Sequence, residues 1–288
     1  MVIERAPLED ELGDVLDKAM SMAGLNETQL AEKTGINVDH LHAVIDYCEP
    51  LTDDEICRVA AVLNLKEAGL RAVASEAYPL PDICGLPFCL YPLRMRHGIG
   101  VANAYLVADC SQDWGILFDT GTGEDFLWRN WPRKIKRVAA VFLTHFETEH
   151  TGGLPAVRRR FPHAAVFGPG GEKHLEGVIV LKSGASIEEN GFQVEVISTP
   201  GHVEDHHCYK VSLPQAKHGA HLLISGDLLF AGSIGGAFFC ADRIAVSLGE
   251  IFRSCGEDTV VAAGHGPLTT LRNERTNNPF IGNNLGNV

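Results

Sequence analysis

The sequence predicts an α/β layered domain preceded by a small all-α domain. Three observations carry that expectation. Residues 9–74 keep a helical apolar period broken by capping signals. The next stretch, EAYPLPDICGLPFCLYP, holds Pro79, Pro81, Pro87 and Pro92, which suit an extended linker. From residue 89 onward, short β-rich runs alternate with a few amphipathic stretches. The expected division is a helical domain over 1–75, a linker over 76–88 and the layered domain over 89–288.

The helical elements follow in order. Leu12, Val15, Leu16 and Ala19 sit at the i, i+3, i+4, i+7 spacing of one helix face. Asn26 with Gln29 resembles a capping box and starts a short helix ending near Gly35. Asn37 opens another, with Leu41, Val44 and Ile45 on one face. Thr52 and Glu55 cap a fourth, turning Ile56, Val59, Ala60 and Leu63 inward; a fifth carries Leu65 and Leu70. The segment Leu30–Ile36 and the helix after it resemble the helix-turn-helix of the phage-repressor (Cro/C1, XRE) family over about the first 75 residues.

In the second part, Ala104–Ala108 and Gly115–Phe118 read as hairpin-paired strands, and Val138–Leu143 as an apolar strand running into a loop. Further strands are expected at Ala164–Phe167, Val178–Leu181, Phe192–Ile197, Cys208–Val211, His221–Ile224 and Thr259–Ala262. Helices are expected at Leu154–Phe161 and Ile244–Phe252.

Composition narrows the function. The chain has 288 residues, 45% hydrophobic and 21% charged, which excludes a disordered chain. Val138–Leu143, the longest strongly apolar run, is far short of the roughly 20 residues of a membrane span. The acidic start MVIERAPLEDELG lacks the apolar core of a signal peptide, so a cytoplasmic protein is expected. Eight scattered cysteines without a CxxC pair read as reduced thiols, with Cys84 and Cys89 as small apolar fillers. Of the net charge of −13, residues 1–75 carry −9, from 6 Lys and Arg against 15 Asp and Glu. Neither part has the basic balance that attracts a polyanion.

The chemistry concentrates after Val138–Leu143, in Thr144-His145-Phe146-Glu147-Thr148-Glu149-His150-Thr151-Gly152-Gly153. Four metal-competent side chains fall within six residues at a strand end. In an extended segment alternate residues share a face, so His145, Glu147 and Glu149 can converge, with His150 entering from the turn. Neutral imidazole mixed with carboxylate is a donor set for a divalent metal. Three more strand ends carry Gly beside His or Asp: Thr199-Pro200-Gly201-His202, Gly226-Asp227 and Gly264-His265-Gly266.

Together these motifs resemble the metallo-β-lactamase superfamily over roughly residues 89–288. Its first motif, HxHxDH, is similar to His145-x-Glu147-x-Glu149-His150, and its TPGH, GD and GHG motifs match the later segments. The glyoxalase II branch is the most similar. Its HTxGHxxY resembles the run from His202 through His206 to Tyr209. Its GDTLFxGSIG resembles Gly226-Asp227-Leu-Leu-Phe230-Ala-Gly-Ser233-Ile-Gly235, and its GPxTT…E…NPF ending resembles Gly266-Pro267 to Thr270, Glu274 and Asn278-Pro279-Phe280. The resemblance implies an αββα sandwich and two divalent ions, zinc, iron or manganese. His145, Glu147 and His202 would hold one, Glu149, His150 and His265 the other, and Asp227 would bridge them. Asp227 and Glu149 are the expected catalytic carboxylates, and Asp119 is expected to orient a ligand histidine. His206 is expected just behind the ligands and His207 pointing away.

The departures are informative. The family's second His is Glu147 and its Asp is Glu149; flavodiiron oxygen reductases also carry Glu at the first of these. Glu adds negative charge and harder oxygen, which favours iron or manganese. After Gly235 the branch usually has Arg and then an acid two residues on, where this chain has Gly236 and Phe238. The implied activity is hydrolysis of a small-molecule thioester or ester by a metal-bound hydroxide. The rivals are an iron-dependent oxidoreductase of persulfide dioxygenase or flavodiiron type and a non-enzymatic metal sensor or transcriptional regulator. His40, His42, His97, His163, His174, His218 and His221 read as ordinary core or surface residues.

A DNA reader needs Lys and Arg for phosphates. From Thr34 to Cys57 there is none, against Asp39, Asp46, Glu49, Asp53, Asp54 and Glu55. The helical domain is therefore expected to be structural or to form a homodimer, without binding DNA or membrane.

Overall fold

The computed structural model describes residues 6–98, 100–171, 175–216 and 221–282. Five helices come first: α1 (Leu12–Ala23), α2 (Glu27–Thr34), α3 (Val38–Ile45), α4 (Asp53–Leu63) and α5 (Glu67–Ala74). Their starts follow the capping chemistry. Asn26 and Thr52 each accept from the third backbone N–H of their helix, and Gln29 and Glu55 reach back in reciprocal boxes. Asn37 caps α3 through the N–H groups of Asp39 and His40. Leu16, Leu30, Leu41, Val59 and Leu70 are fully buried in one helical core.

The strands begin with β1 (Cys89–His97), β2 (Gly100–Ala108) and β3 (Trp114–Phe118). After α6 (Glu124–Asn130) and β4 (Arg137–Phe142) come the short turn α7 (Thr148–Thr151) and α8 (Leu154–Arg160). Then follow β5 (Ala165–Gly168), β6 (Ile179–Val180), β7 (Ser186–Glu189), β8 (Phe192–Ser198), β9 (His207–Ser212) and β10 (Leu222–Gly226). The chain continues through β11 (Leu229–Phe230), β12 (Ser233–Ile234), α9 (Ala241–Ser254), β13 (Val260–Ala263), β14 (Thr269–Thr270) and α10 (Leu271–Asn277). Strands β2 and β3 pair antiparallel, the hairpin expected from the sequence.

Two six-stranded sheets, β1-β2-β3-β4-β5-β6 and β14-β13-β10-β9-β8-β7, stack face to face. Phe118, Phe142 and Tyr105 of the first meet Phe192, Tyr209 and Ile224 of the second between them. Leu127, Leu154 and Val157 cover the outer face of the first sheet. Ile244, Leu248, Ile251 and Leu271 cover the second. The layers are thus αββα, with each helix stripe burying one outer sheet face. Among the described residues, no helix is long and apolar enough to cross a membrane.

Two sequence expectations change here. Cys89 and Cys110 form a disulfide, so the thiols are not all reduced. The antiparallel register sets Cys89 opposite Ala108, two residues before Cys110, and the Cα atoms come to 5.1 Å despite 21 residues of separation. Close-pair spacing cannot reveal that partner. Neither Cys84 nor Cys89 is a filler, since Cys84 is exposed and Cys89 is bonded. Second, the segment after β4 is extended only as far as Glu147. Thr148–Thr151 is a helical turn, so Glu149 does not share the face of His145 and Glu147.

Candidate metal centre

Strand direction gathers the chemistry at one rim. Strands β3 and β4 run parallel, as do β10 and β13. Strand β8 runs with β10, because each is antiparallel to the β9 between them. Asp119, His145, His202, Asp227 and His265 therefore all leave the C-terminal ends of their strands on the same side. The two sheets are tied there by Asn103, whose N–H donates to Gly264 O at 2.7 Å and whose side chain donates to Ala263 O and Gly266 O.

Two groups of donor atoms result. His145, Glu147, His202 and Asp227 form one, and Glu149, His150 and His265 the other, with the atoms of each group within 4.8 Å of one another. Asp227 lies between them. Its Oδ1 is 3.4 Å from His150 Nε2, and its Oδ2 is 3.7 Å from His202 Nε2 and 3.3 Å from His265 Nε2. Glu147 Oε2 is 3.5 Å from His145 Nε2 and 3.4 Å from His202 Nε2. Of the seven, Glu147 and Glu149 are half-buried and the rest are buried.

Each imidazole is tied on its Nδ1 side. His202 donates to Gly236 O at 2.9 Å and His265 to Val101 O at 3.1 Å. His150 faces Asp119 Oδ2 at 3.2 Å. His145 lies 2.9 Å from Thr144 Oγ1, which itself donates to Asp119 Oδ2. Asp119, at φ +54, also accepts from the Thr144 N–H, so one carboxylate sets two ring orientations. These partners assign the Nδ1–H tautomer and leave every Nε2 lone pair facing the shared space. His206 stands behind. Its Nδ1 meets Thr199 Oγ1 and its Nε2 accepts from the Asp227 N–H at 3.1 Å, fixing the Asp227 backbone.

The donor set fits a cation. His145 Nε2, His150 Nε2 and Asp227 Oδ1 are buried without a hydrogen-bond partner, a costly arrangement that a shared metal resolves. Gly264 leaves the space open, since a Cβ there would collide with Asp227 Oδ1 and crowd the His150 ring. The charges agree. Burial would raise Asp227, but His265 and His150 outweigh it and hold the carboxyl well below its ordinary range. His145 and His202 hold Glu147 low as well. Burial opposes a charge on His150, His202 and His265, yet the facing carboxylates raise all three. Burial holds His145 and His206 low. A cation would replace those protons.

Residues without a role in the sequence reading also stand here. His97 Nε2 is 3.6 Å from Glu149 Oε1. Glu9, which precedes α1, reaches within 3.5 Å of His265 Nδ1, and burial lifts its carboxyl to about 7. No sequence motif marks either residue. His174 and His218 lie outside the described residues. A cleft of ≈ 350 Å³ opens beside Glu147 and His202, walled by Phe146, Phe238 and Phe239 with Glu204 and Asp205. Phe238 is 79% exposed, its ring centroid 5.1 Å from that of His202. Among the described residues, no Lys or Arg lines this cleft.

Comparison with known proteins agrees with this geometry. Residues 97–265 match the family model of the metallo-beta-lactamase superfamily. The probable metallo-hydrolase YqgX of Bacillus subtilis is 31% identical over 211 residues, which cover 65% of this chain and 96% of that protein. The hydroxyacylglutathione hydrolase of Photorhabdus laumondii is 32% identical over 127 residues, 44% of this chain. That match spans 47% of the relative, about half its length. The structure of TTHA1623 in a di-iron-bound form is 27% identical with a TM-score of 0.50, covering 65% of this chain and 98% of that one. A sandwich of two covered sheets, with its histidines and carboxylates gathered at one rim, thus places this chain in the metallo-β-lactamase superfamily.

Proposed function

We propose that the chain is a metal-dependent hydrolase of a small-molecule ester or thioester. The observation that carries this reading is the convergence of four Nε2 atoms on a buried Asp227, each ring tied from behind. His145, Glu147 and His202 would hold one divalent ion, Glu149, His150 and His265 the other, and Asp227 both. When bound, such ions acidify a water and polarise the carbonyl oxygen. The chain's own residues do the rest. Asp227, held ionised, accepts a hydrogen bond from the attacking water. Glu149 would take up the proton that the attacking water releases and pass it to the leaving group. Phe146, Phe238 and Phe239 receive the apolar part of the substrate and exclude water. The metallo-hydrolase and hydroxyacylglutathione hydrolase relatives support the reaction class. The helical region is read as structural or dimerising, since Thr34 to Cys57 holds six acids and no Lys or Arg.

A second reading, an iron-dependent oxidoreductase, is favoured by the oxygen donor Glu147 and by the relative solved with two irons. Metal analysis of protein purified without added metal, thioester and ester hydrolysis, and oxygen uptake separate the two. Hydrolysis that Asp227→Ala abolishes together with metal content supports the first reading. Oxygen uptake by an iron-loaded protein that cleaves no ester would replace it with the second.

A further inference from the structure

The segment ahead of α1 is built into the wall of the metal centre. Asp10 is buried, and its Oδ2 accepts from both the Lys18 ammonium and the Ser233 hydroxyl of β12. Lys18 also donates to Ile234 O at 2.9 Å, so α1 and β12 share one ionic clamp. Behind it, the buried Tyr78 hydroxyl donates to Glu274 at 2.9 Å, and the Lys66 ammonium donates to Arg275 O and Thr276 O. The helical region is thereby fastened along the edge that carries His265.

The clamp fixes the neighbouring residue, Glu9. Its Oε1 lies 3.5 Å from His265 Nδ1, and its side chain is 26% exposed. A glycine makes room. A Cβ at Gly266, which has φ +75, would crowd the Glu9 backbone N at 3.3 Å. The Nδ1–H of His265 already donates to Val101 O at 3.1 Å, so Glu9 acts through the charge of its ionised form, which a cation beside His265 favours, on a ring whose orientation is set. A carboxylate on the far side of an imidazole increases the basicity of the opposite nitrogen and adds attraction for a cation there.

We propose that Glu9 is a positioning residue of the second metal group, and that the helical region serves this chain as a working wall of its metal centre. Through its contact with His265 it strengthens the cation held by Glu149, His150 and His265. This rests on the metal-centre reading above, and the test separates the two. Cobalt(II) is titrated into metal-free, full-length wild type, Glu9→Gln and Glu9→Ala, with chelator competition for affinity and visible absorption for coordination. Circular dichroism and a thermal melt report folding. Glu9→Gln keeps the shape and removes the charge. The expected result is a second-ion affinity lowered about 10–100-fold in both variants, with the first ion unchanged and the second-ion absorption band shifted. Wild-type affinity for both ions in a folded Glu9→Gln would overturn the role of Glu9 while leaving the centre intact. A wild type that takes up no cobalt would overturn both.

Discussion

Asp119 Oδ2 lies 3.2 Å from Nδ1 of His150, and both side chains are buried. The same carboxylate accepts from the Thr144 hydroxyl behind His145. One residue outside both metal groups therefore orients a ring in each. Asp119→Ala is expected to lower affinity for both ions by about 10–100-fold while the fold persists. Chelator competition monitored beside circular dichroism checks this; an unchanged affinity for either ion would refute the shared support.

The two carboxylates that depart from the family pattern sit in different groups, Glu147 with His202 and Glu149 with His265. Glu147→His exchanges a charged oxygen for a neutral nitrogen and should shift selectivity toward zinc. Glu149→Asp shortens the arm by one methylene, roughly 1.5 Å of reach, and should weaken the second ion. Metal stoichiometry and turnover of the double variant decide the matter. A large gain in both would mean that the native site is decayed rather than re-tuned.

The mouth beside His202 offers three aromatic rings and, where the glyoxalase II branch carries Arg, Gly236. Substrates with an apolar or aromatic group beside the carbonyl should be preferred over a glutathione thioester. Phe238→Ala should raise KM for such substrates about tenfold, the effect of losing roughly 1.4 kcal/mol of contact, with little change in kcat. Equal KM values in wild type and variant would remove Phe238 from the binding wall.

His207 is buried against Tyr209, its Nδ1 has no partner, and burial depresses it to about 4. Its folded value lies below the unfolded 6.5, so its stabilising contribution is complete above 6.5 and is lost as pH falls toward 4. The span corresponds to roughly 3 kcal/mol at most. His207→Leu should flatten the fall in stability between pH 6.5 and 4, measured by urea denaturation. Parallel curves for the two proteins would show that His207 plays no part in acid unfolding.

The face of α3 carries Asp39, His40 and His42, each histidine close to acids: His40 to Glu49 and Glu55, His42 to Glu27 and Asp46. No sequence-specific duplex binding is expected at physiological salt. Fluorescence anisotropy with a randomised duplex library tests this in the full chain; nanomolar selection of a defined site would contradict it.

Local chemistry was legible from the sequence alone. Asn26, Asn37 and Thr52 announce three helix starts because a capping side chain bonds within three residues of itself. The apolar runs announce most of the strands, and the His, Glu and Asp of the metal motifs stand at strand ends that a parallel arrangement brings together. The long β1 and the short α6 and α10 were not legible, since Cys89–His97 mixes proline, arginine and apolar residues and its strand character depends on pairing with β2. Whatever depends on register or on docking was decided only by the tertiary structure. The Cys89–Cys110 bond needs the β1–β2 register, and the separation of Glu149 from Glu147 needs the helical turn at Thr148. The contact of Glu9 with His265 joins residues more than 250 positions apart through the Asp10, Lys18 and Ser233 clamp. No local pattern encodes such a contact, because its energy comes from surfaces that meet only after both halves of the chain have folded.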